Sequence, residues 1–250
     1  YDEPALVVLA GPAVAGVEEH QTVGNVVAVA VEKLFVEPFE FLAGGIQVLL
    51  DRSHKQGLAF LGGMRMNDLH GGSAGTPFVK AHPEWMAKSP DFWLDYKHEG
   101  VRNAVLAVAA EFLERYDVDG IELDWMRFCY MFSRPEAVQN APILTDFTAE
   151  LRKLLDLAAK QRGRDKLLLG VRVPSTMEEC RLLGYDVKAW VQQGLVDFIC
   201  PMDFAKTDYN TGNYADIIKH SWDESSATAH WRKRADKTRP FFSICLLYTS

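Results

Sequence analysis

Two carboxylates stand two residues apart in the segment DGIELDW, at Glu122 and Asp124. Side chains alternate along a strand, so both point to one side, while Ile121, Leu123 and Trp125 point to the other. An apolar strand ordinarily rejects two acids on one face, and burial with like-charge repulsion raises the pKa of one of them. A protonated acid near an ionised carboxylate is the pair that cleavage of a glycosidic bond needs.

A structural role is the alternative for Glu122, because Arg172 or Arg65 could hold it in a buried ion pair. Its deeper position in the strand suits a supporting role, whereas Asp124 lies nearer the strand end. We therefore predict Asp124 as the principal catalytic residue and Glu122 as a residue that tunes it.

A third candidate acid, Asp203, follows the apolar segment VDFICPM at the point where that strand ends. From a second strand end it could face Asp124 across a shared cavity and act as its acid/base partner. The alternative is a cap for the loop that follows.

Further side chains near strand ends are predicted to bind substrate. Arginine and asparagine can hold sugar hydroxyls or orient a carboxylate, and tryptophan can stack on a sugar, although packing is its commoner role. These predicted residues are Arg65, Asn67, Asp68, His70, Trp85, Trp125, Arg127 and Arg172. Structural pairing is the alternative for the arginines, and loop capping for Asn67 and Asp68. The histidines lack metal-ligand spacing, so we predict no metal and no cofactor.

Strand-like and helix-like segments alternate along most of the chain, which predicts βαβ units around a parallel sheet. Helical spacing of apolar residues predicts helices over 38–56, 100–116, 142–162, 176–194 and 213–236. Apolar runs predict strands over 58–66, 120–127, 166–173, 195–203 and 240–244, with a long loop over 67–97. No phosphate-binding glycine loop follows a strand, and polar residues collect at several strand ends. We therefore predict an α/β chain of the (β/α)8 TIM-barrel type.

The chain divides into three predicted parts. Residues 1–37 show no convincing unit, and residues 38–244 carry the barrel. Residues 245–250 match what translation of a transposon-end sequencing adapter gives, which would leave the barrel incomplete at its C-terminus; a natural apolar strand is the alternative. Because the first residue is Tyr1 rather than Met, export is compatible with the sequence and localisation stays open.

Composition is that of an ordinary globular chain, with 48% hydrophobic and 24% charged residues among 250. The net charge of −7 argues against a nucleic-acid partner, which needs a basic surface. No apolar run approaches the roughly 20 residues that span a bilayer. The four cysteines form no CxxC pair. The sequence does not predict an oligomeric state.

Five segments occur in an order that matches a known group of proteins. They are HPEW (82–85), LDYKHEGVRN (94–103), LERYDVDGIELDWMRF (113–128), LGVRVPSTMEEC (169–180) and GLVDFICPMDF (194–204). Over about residues 38–204 the chain resembles bacterial glycosyl-hydrolase-like family 10 proteins, barrel proteins common in polysaccharide-degrading bacteria. The resemblance implies hydrolysis of O-glycosidic bonds in a polysaccharide or oligosaccharide.

Characterised barrel glycosidases suggest roles for the acids. DGIELDW resembles the chitinase motif DGxDxDxE, but the general acid of that motif falls on Met126, which has no proton to donate. A chitinase mechanism is therefore disfavoured. In α-galactosidase-like barrels a nucleophilic Asp ends strand four and an acid/base Asp ends strand six, which corresponds by resemblance to Asp124 and Asp203. A further group of barrel glycosidases uses a Glu on strand four as acid/base and a Glu on strand seven as nucleophile. In this chain the strand-seven residue would lie beyond Ile244.

Two other functions stay open on these residues. One is a non-catalytic carbohydrate-binding barrel that keeps the cleft and has lost the acid. The other is a metal-dependent hydrolase or a lyase on the same fold.

Overall fold

A computed structural model describes residues 39–67, 77–87, 93–126, 128–202, 214, 217 and 241–246. Side chains are described from residue 45 onward within these ranges, apart from those at 77 and 241–246. The predicted segment 1–37 and most of the predicted helix 213–236 lie outside the described residues.

Helices and strands alternate through the described part of the chain. The helices are α1 Phe39–Lys55, α2 Pro77–Ala81, α3 Glu99–Arg115, α4 Ala141–Gln161, α5 Met177–Leu183 and α6 Val187–Gln192. The strands are β1 Ala59–Arg65, β2 Gly120–Asp124, β3 Leu168–Pro174, β4 Phe198–Met202 and β5 Phe241–Leu246. Short 3-10 turns lie at Pro83–Trp85 and Arg134–Glu136. These bounds fall close to the predicted ones, and strand β5 includes the first two residues of the predicted adapter segment.

The five strands form one parallel sheet in the order β4-β3-β2-β1-β5. Strands β1 to β4 are neighbours in chain order, and helices separate each from the next. Strand β5 lies beside β1, so the open gap of the sheet falls between β4 and β5. Consecutive parallel strands that are linked through helices are the repeating units of a (β/α) barrel.

The helices pack on one face of this sheet and form the main core. Ile121 and Leu123 of β2 are fully buried in a cluster that includes Phe112 of α3 and Leu151 of α4. Phe112 lies directly over Gly62 of β1, where a Cβ atom would approach its ring to 2.3 Å. Glycine at position 62 therefore allows α3 to approach the strand closely.

Two aspartates tie the amino ends of neighbouring strands by the same contact. Asp119, just before β2, accepts a 2.8 Å hydrogen bond from the N–H of Phe60 in β1, and its own N–H donates to the Phe60 carbonyl. Asp197, just before β4, accepts a 2.9 Å hydrogen bond from the N–H of Leu169 in β3, and its N–H donates to the Leu169 carbonyl. The first contact holds β1 to β2, and the second holds β3 to β4.

Basic side chains lie against both aspartates. Asp119 lies 2.9 Å from His54 Nε2 and 3.1 Å from an Arg164 nitrogen. The fully buried carboxylate of Asp197 lies 3.1 Å from Arg152 and 2.6 Å from Lys166. Buried charge is tolerated here because each carboxylate has opposite charge and backbone donors around it.

The single helix predicted over 176–194 is two helices. Gly184 takes φ +83°, and its N–H bonds the carbonyl of Arg181, which ends α5. The carboxylate of Asp186 then accepts a 3.0 Å hydrogen bond from the N–H of Ala189 and begins α6. A left-handed glycine followed by an aspartate cap breaks the helix although apolar spacing continues across it. The predicted loop over 67–97 also contains α2 and a 3-10 turn.

Candidate active site

Four polar residues form one row across the sheet. Strand register aligns Arg65 of β1 with Asp124 of β2, Asp124 with Arg172 of β3, and Arg172 with Cys200 of β4. Aligned residues of a parallel sheet point to the same face, and this face is opposite the one that the helices cover. The row therefore lies on the inner side of the sheet, near the carboxyl ends of β1 and β2.

Glu122 lies one step deeper on the same face, between two glycines. The register pairs it with Gly63 of β1 and Gly170 of β3. Gly170 is in turn paired with Phe198 of β4, whose ring lies 2.0 Å from where a Cβ on residue 170 would be. The side chain of Phe198 thus occupies the space over Gly170, on the face of the sheet that carries Glu122.

An ion pair joins Arg172, in the row of strand-end residues, to Glu122, one step deeper on the inner face. Arg172 Nη2 donates a 2.5 Å hydrogen bond to Oε1 of Glu122, and the thiol of Cys200 lies 4.0 Å from Oε2. The Glu122 side chain is 6% exposed, whereas that of Arg172 is 33% exposed. This is the ion pair that the sequence offered as the structural alternative for Glu122.

Burial controls the protonation of this cluster. Burial raises the pKa of Glu122, and the neighbouring Arg172 only partly opposes that rise. Burial disfavours the charge of Arg172, yet Glu122 and Asp124 outweigh it and raise the arginine pKa. Burial and the nearby Glu122 raise the pKa of Cys200 to about 11. Cys200 is therefore a neutral thiol near pH 7 and a poor nucleophile.

Asp124 is 8% exposed and is oriented by the backbone that follows it. The N–H of Met126 donates a 3.0 Å hydrogen bond to its Oδ1. Met126 is itself 9% exposed, and its thioether carries no acidic proton. The carboxylate therefore has one oxygen fixed by the chain.

Asn67 holds the rim of the site together. Its Nδ2 donates to the carbonyls of Leu94 at 2.9 Å and Tyr130 at 3.0 Å, and its Oδ1 accepts from the N–H of Leu94 at 3.2 Å. These bonds join the exit of β1 to the loops before α3 and after β2. The structure therefore places Asn67 as a loop clamp, the alternative to its predicted substrate contact.

The structure does not bring Trp125 to the site. Its side chain is fully buried on the helix-covered face of the sheet, against the rings of Tyr96, Phe147, Tyr185 and Trp190. Trp125 therefore does not make the predicted sugar contact, because alternation along the strand points its side chain away from Asp124.

Trp85 packs within its own loop region. Its ring stacks on His82 at a centroid distance of 3.7 Å, and its edge lies 2.1 Å from where a Cβ on Gly100 would be. These contacts fix the loop onto the start of α3, so Trp85 has a packing role in the described structure.

Asp203, Asp68, His70 and Arg127 lie outside the described residues, and their roles stay predictions. Among the side chains that are described, no group of three or more metal-binding residues occurs. No described helix has the length and apolar character needed to cross a membrane.

Cys200 is the site residue that sequence reasoning missed. A signal for it exists, because VDGIELD and VDFICPM align on Asp119 and Asp197, which make the same contact. That alignment pairs Glu122 with Cys200, the two residues that lie together.

A family model described as glycosyl hydrolases family 18 matches residues 85–244, well over half of the chain. The chain belongs to glycosyl hydrolases family 18. The predicted (β/α)-barrel fold and the glycoside-hydrolase-type family are confirmed. The assignment to family 10 is corrected, because the match is to family 18. The search of curated proteins gave no match.

Solved structures that are similar to this chain include a family 18 N-acetylglucosaminidase from Paenibacillus barengoltzii, at 23% identity and TM-score 0.34, covering 42% of this chain and 30% of that one. A Group II chitinase catalytic domain from Ostrinia furnacalis has 22% identity and TM-score 0.36, with 52% and 38% covered. The maltogenic α-amylase AmyB from Thermotoga neapolitana has 16% identity and TM-score 0.42, with 80% and 40% covered. The present chain therefore covers between 30% and 40% of the length of these three structures.

Proposed function

We propose that the protein is a glycoside hydrolase that cleaves O-glycosidic bonds in a polysaccharide or oligosaccharide by carboxylate chemistry. The observation that carries the proposal is the pair of buried acids on the inner face of β2: Asp124 lies between Arg65 and Arg172, and Glu122 lies one step deeper. Membership of family 18 supports the same class of reaction.

Asp124 is the proposed nucleophile or electrostatic stabiliser. The Met126 amide holds its Oδ1, so Oδ2 is the oxygen that would meet the developing positive charge of the sugar. Glu122 tunes the site through its ion pair with Arg172 rather than by contact with the sugar. Asp203 is the proposed acid/base, on the strength of its sequence position alone.

Hydrolysis by the full-length protein on a panel of defined glycans tests this assignment. We expect Asp124→Asn to lower kcat at least about a hundredfold, because it removes the charge that stabilises the transition state. Glu150→Gln is the matched control, since this carboxylate lies on α4 in a solvent-exposed pair with Lys153. Equal turnover by wild type and Asp124→Asn would refute the role of Asp124.

A carbohydrate-binding barrel is the second candidate function, and Met126 is the observation that favours it. In the chitinase motif that DGIELDW resembles, position 126 supplies the general acid. Glycan binding without product release, in wild type and Asp203→Asn alike, would favour this candidate. Loss of turnover in Asp203→Asn with binding retained would favour the hydrolase.

A further inference from the structure

We propose that Tyr185 is a positioning residue for Asp124 and acts on it from the helix-covered face, through the peptide unit that follows Trp125. This inference rests on the proposed function, because it names a further residue on which the activity of Asp124 depends. Tyr185 itself would not contact the sugar, since its side chain is buried against the rings of Trp125 and Trp190 on the face opposite Asp124.

The peptide unit between Trp125 and Met126 lies just past the end of β2. One unit earlier, the carbonyl of Asp124 accepts a 3.1 Å hydrogen bond from the N–H of Met66. On the other side, the N–H of Trp125 donates a 3.1 Å hydrogen bond to the carbonyl of Arg172. Main-chain bonds on both sides thus fix the chain as far as the nitrogen of Trp125.

Two side chains hold the next peptide unit, one at each of its polar groups. Its N–H, which belongs to Met126, donates a 3.0 Å hydrogen bond to Oδ1 of Asp124. Its carbonyl oxygen, which belongs to Trp125, lies 3.4 Å from the hydroxyl of Tyr185. A peptide unit is planar and rigid, so its carbonyl and its N–H turn together. A hydroxyl that restrains the carbonyl therefore also restrains the N–H that orients Asp124.

The shorter bond of the Tyr185 hydroxyl closes the turn that follows. The hydroxyl donates a 2.7 Å hydrogen bond to the carbonyl of Cys129, a normal length for a hydroxyl donor. Burial raises the pKa of Tyr185 well above its ordinary value, so the hydroxyl keeps the proton for this bond. One side chain thus contacts both ends of the segment from Trp125 to Cys129, and Met126 lies within that segment.

The backbone around Tyr185 fixes the place from which its side chain reaches the turn. Gly184 at φ +83° turns the chain after α5, and the N–H of Tyr185 donates a 2.8 Å hydrogen bond to the carbonyl of Cys180. A Cβ atom on residue 184 would lie 2.4 Å from the carbonyl oxygen of Ala137. The end of α5 therefore packs directly on the loop that follows β2, next to the turn that Tyr185 holds.

Tyr214 offers a matched comparison. Its buried hydroxyl likewise donates to a carbonyl at a strand end, that of Pro174, which ends β3. This carbonyl belongs to a different strand from the peptide unit that donates to Asp124. Tyr185→Phe and Tyr214→Phe therefore both remove a buried hydroxyl and keep the ring, but the first variant alone releases the peptide unit before Met126.

Hydrogen exchange of the Met126 amide tests the restraint without any substrate. It is measured by NMR on the full-length protein labelled at its methionine nitrogens, with Met64, fully buried in β1, as the reference for opening of the whole sheet. In Tyr185→Phe we expect Met126 to exchange about tenfold faster relative to Met64, because local opening no longer breaks the contacts of the hydroxyl. In Tyr214→Phe the ratio should match that of wild type.

Kinetics on the defined glycans test the consequence for Asp124. We expect Tyr185→Phe to lower kcat about tenfold and to change KM less than about twofold, because a misoriented carboxylate affects the reacting group rather than glycan binding. Added to Asp124→Asn, Tyr185→Phe should cause no further loss of kcat, because the charge that it positions is already gone. A general loss of stability would instead add to the effect of Asp124→Asn.

Free exchange of the Met126 amide in wild type would overturn the inference without any variant. An unchanged ratio in Tyr185→Phe, or an equal rise in Tyr214→Phe, would overturn it as well. Turnover by wild type with an equal kcat in Tyr185→Phe would reject the positioning role and leave the hydrolase proposal standing. Faster Met126 exchange in Tyr185→Phe, in a protein that turns over no glycan, would support the restraint on Asp124 and reject the hydrolase.

Discussion

The backbone N–H of Met126 bonds Oδ1 of Asp124 at 3.0 Å, so the residue at the position of the chitinase acid orients the carboxylate two places before it. The donor belongs to the main chain and does not depend on the identity of side chain 126. The orientation of Asp124 is therefore independent of whether position 126 holds a proton donor.

Replacing Met126 with an acid is expected to destabilise the fold. Met126 is 9% exposed, so Met126→Glu would bury a third carboxyl near Asp124 and lower the free energy of unfolding by about 2 kcal/mol. The loss should be larger at pH 8 than at pH 5, because burial favours the protonated form. Urea unfolding at both pH values measures it. Met126→Leu is the control and should stay within about 1 kcal/mol of wild type.

Removing Arg172 should cost more stability than removing its ion pair entirely. Arg172→Met leaves Glu122 buried without its partner, for a loss of about 3 kcal/mol, whereas Glu122→Gln/Arg172→Met removes the unpaired charge. The raised pKa of Glu122 means that the folded state takes up its proton more readily than the unfolded state. The contribution of Glu122 to stability therefore falls as pH rises. A double-mutant cycle by urea unfolding tests this, and purely additive losses would contradict it.

The two strand-tying aspartates should differ in importance. Asp197→Asn leaves Arg152 and Lys166 without a fully buried carboxylate and should lower the free energy of unfolding by about 3–5 kcal/mol. Asp119→Asn should cost about 2 kcal/mol, because the Asp119 side chain is 12% exposed and water can replace part of the lost interaction. Chemical denaturation of both variants provides the comparison. A larger loss for Asp119→Asn would show that exposure does not set the order.

Gly170→Ala should strain the floor of the site. The added methyl would lie 2.0 Å from the ring of Phe198, and the forced movement should cost about 1–3 kcal/mol. Gly45→Ala is the control, since no atom lies within 4 Å of a Cβ there and a helical alanine should stabilise slightly. Thermal unfolding measures both. Combining Gly170→Ala with Phe198→Leu should recover part of the loss.

Glu111 on α3 should make stability depend on pH around neutrality. Burial raises its pKa from 4.5 to about 7, despite the ion pair with Arg115 at 2.6 Å. The folded state therefore binds a proton that the unfolded state has released between these values. The stability of wild type relative to Glu111→Gln should fall by about 2 kcal/mol as pH rises from 4.5 to 8. Unfolding measured across that range checks the slope, and a pH-independent difference would contradict it.

Local pattern predicted most of the fold because each element has its own periodicity. The stripe of Leu144, Phe147, Leu151, Leu154 and Leu155 predicted α4; four of these residues are buried in the core, and Leu154 is partly buried against it. Alternation along β2 correctly put Ile121 and Leu123 on the face opposite the acids. The same alternation places Trp125 on the helix-covered face, where its ring is buried, so the position of a tryptophan in the strand decided its role better than the tendency of tryptophan to stack on sugars.

Contacts between distant residues could not be predicted in this way. Asn67 binds backbone atoms 27 and 63 residues away, at Leu94 and Tyr130, and no spacing in the sequence encodes such partners. Choosing Arg172 over Arg65 as the partner of Glu122 likewise needed coordinates, since either arginine fits the pattern.

The contacts of Asp119 and Asp197 separate the residues that keep the strands aligned from those that would meet a ligand. Both aspartates precede their strands, whereas Arg65 and Asp124 are the last residues of theirs. Changes in the loops at the carboxyl ends would therefore leave the contacts of Asp119 and Asp197 in place, although the bonds from Asn67 to Leu94 and Tyr130 lie in those loops. A scaffold divided in this way can acquire a new specificity, or lose its chemistry, while its architecture persists.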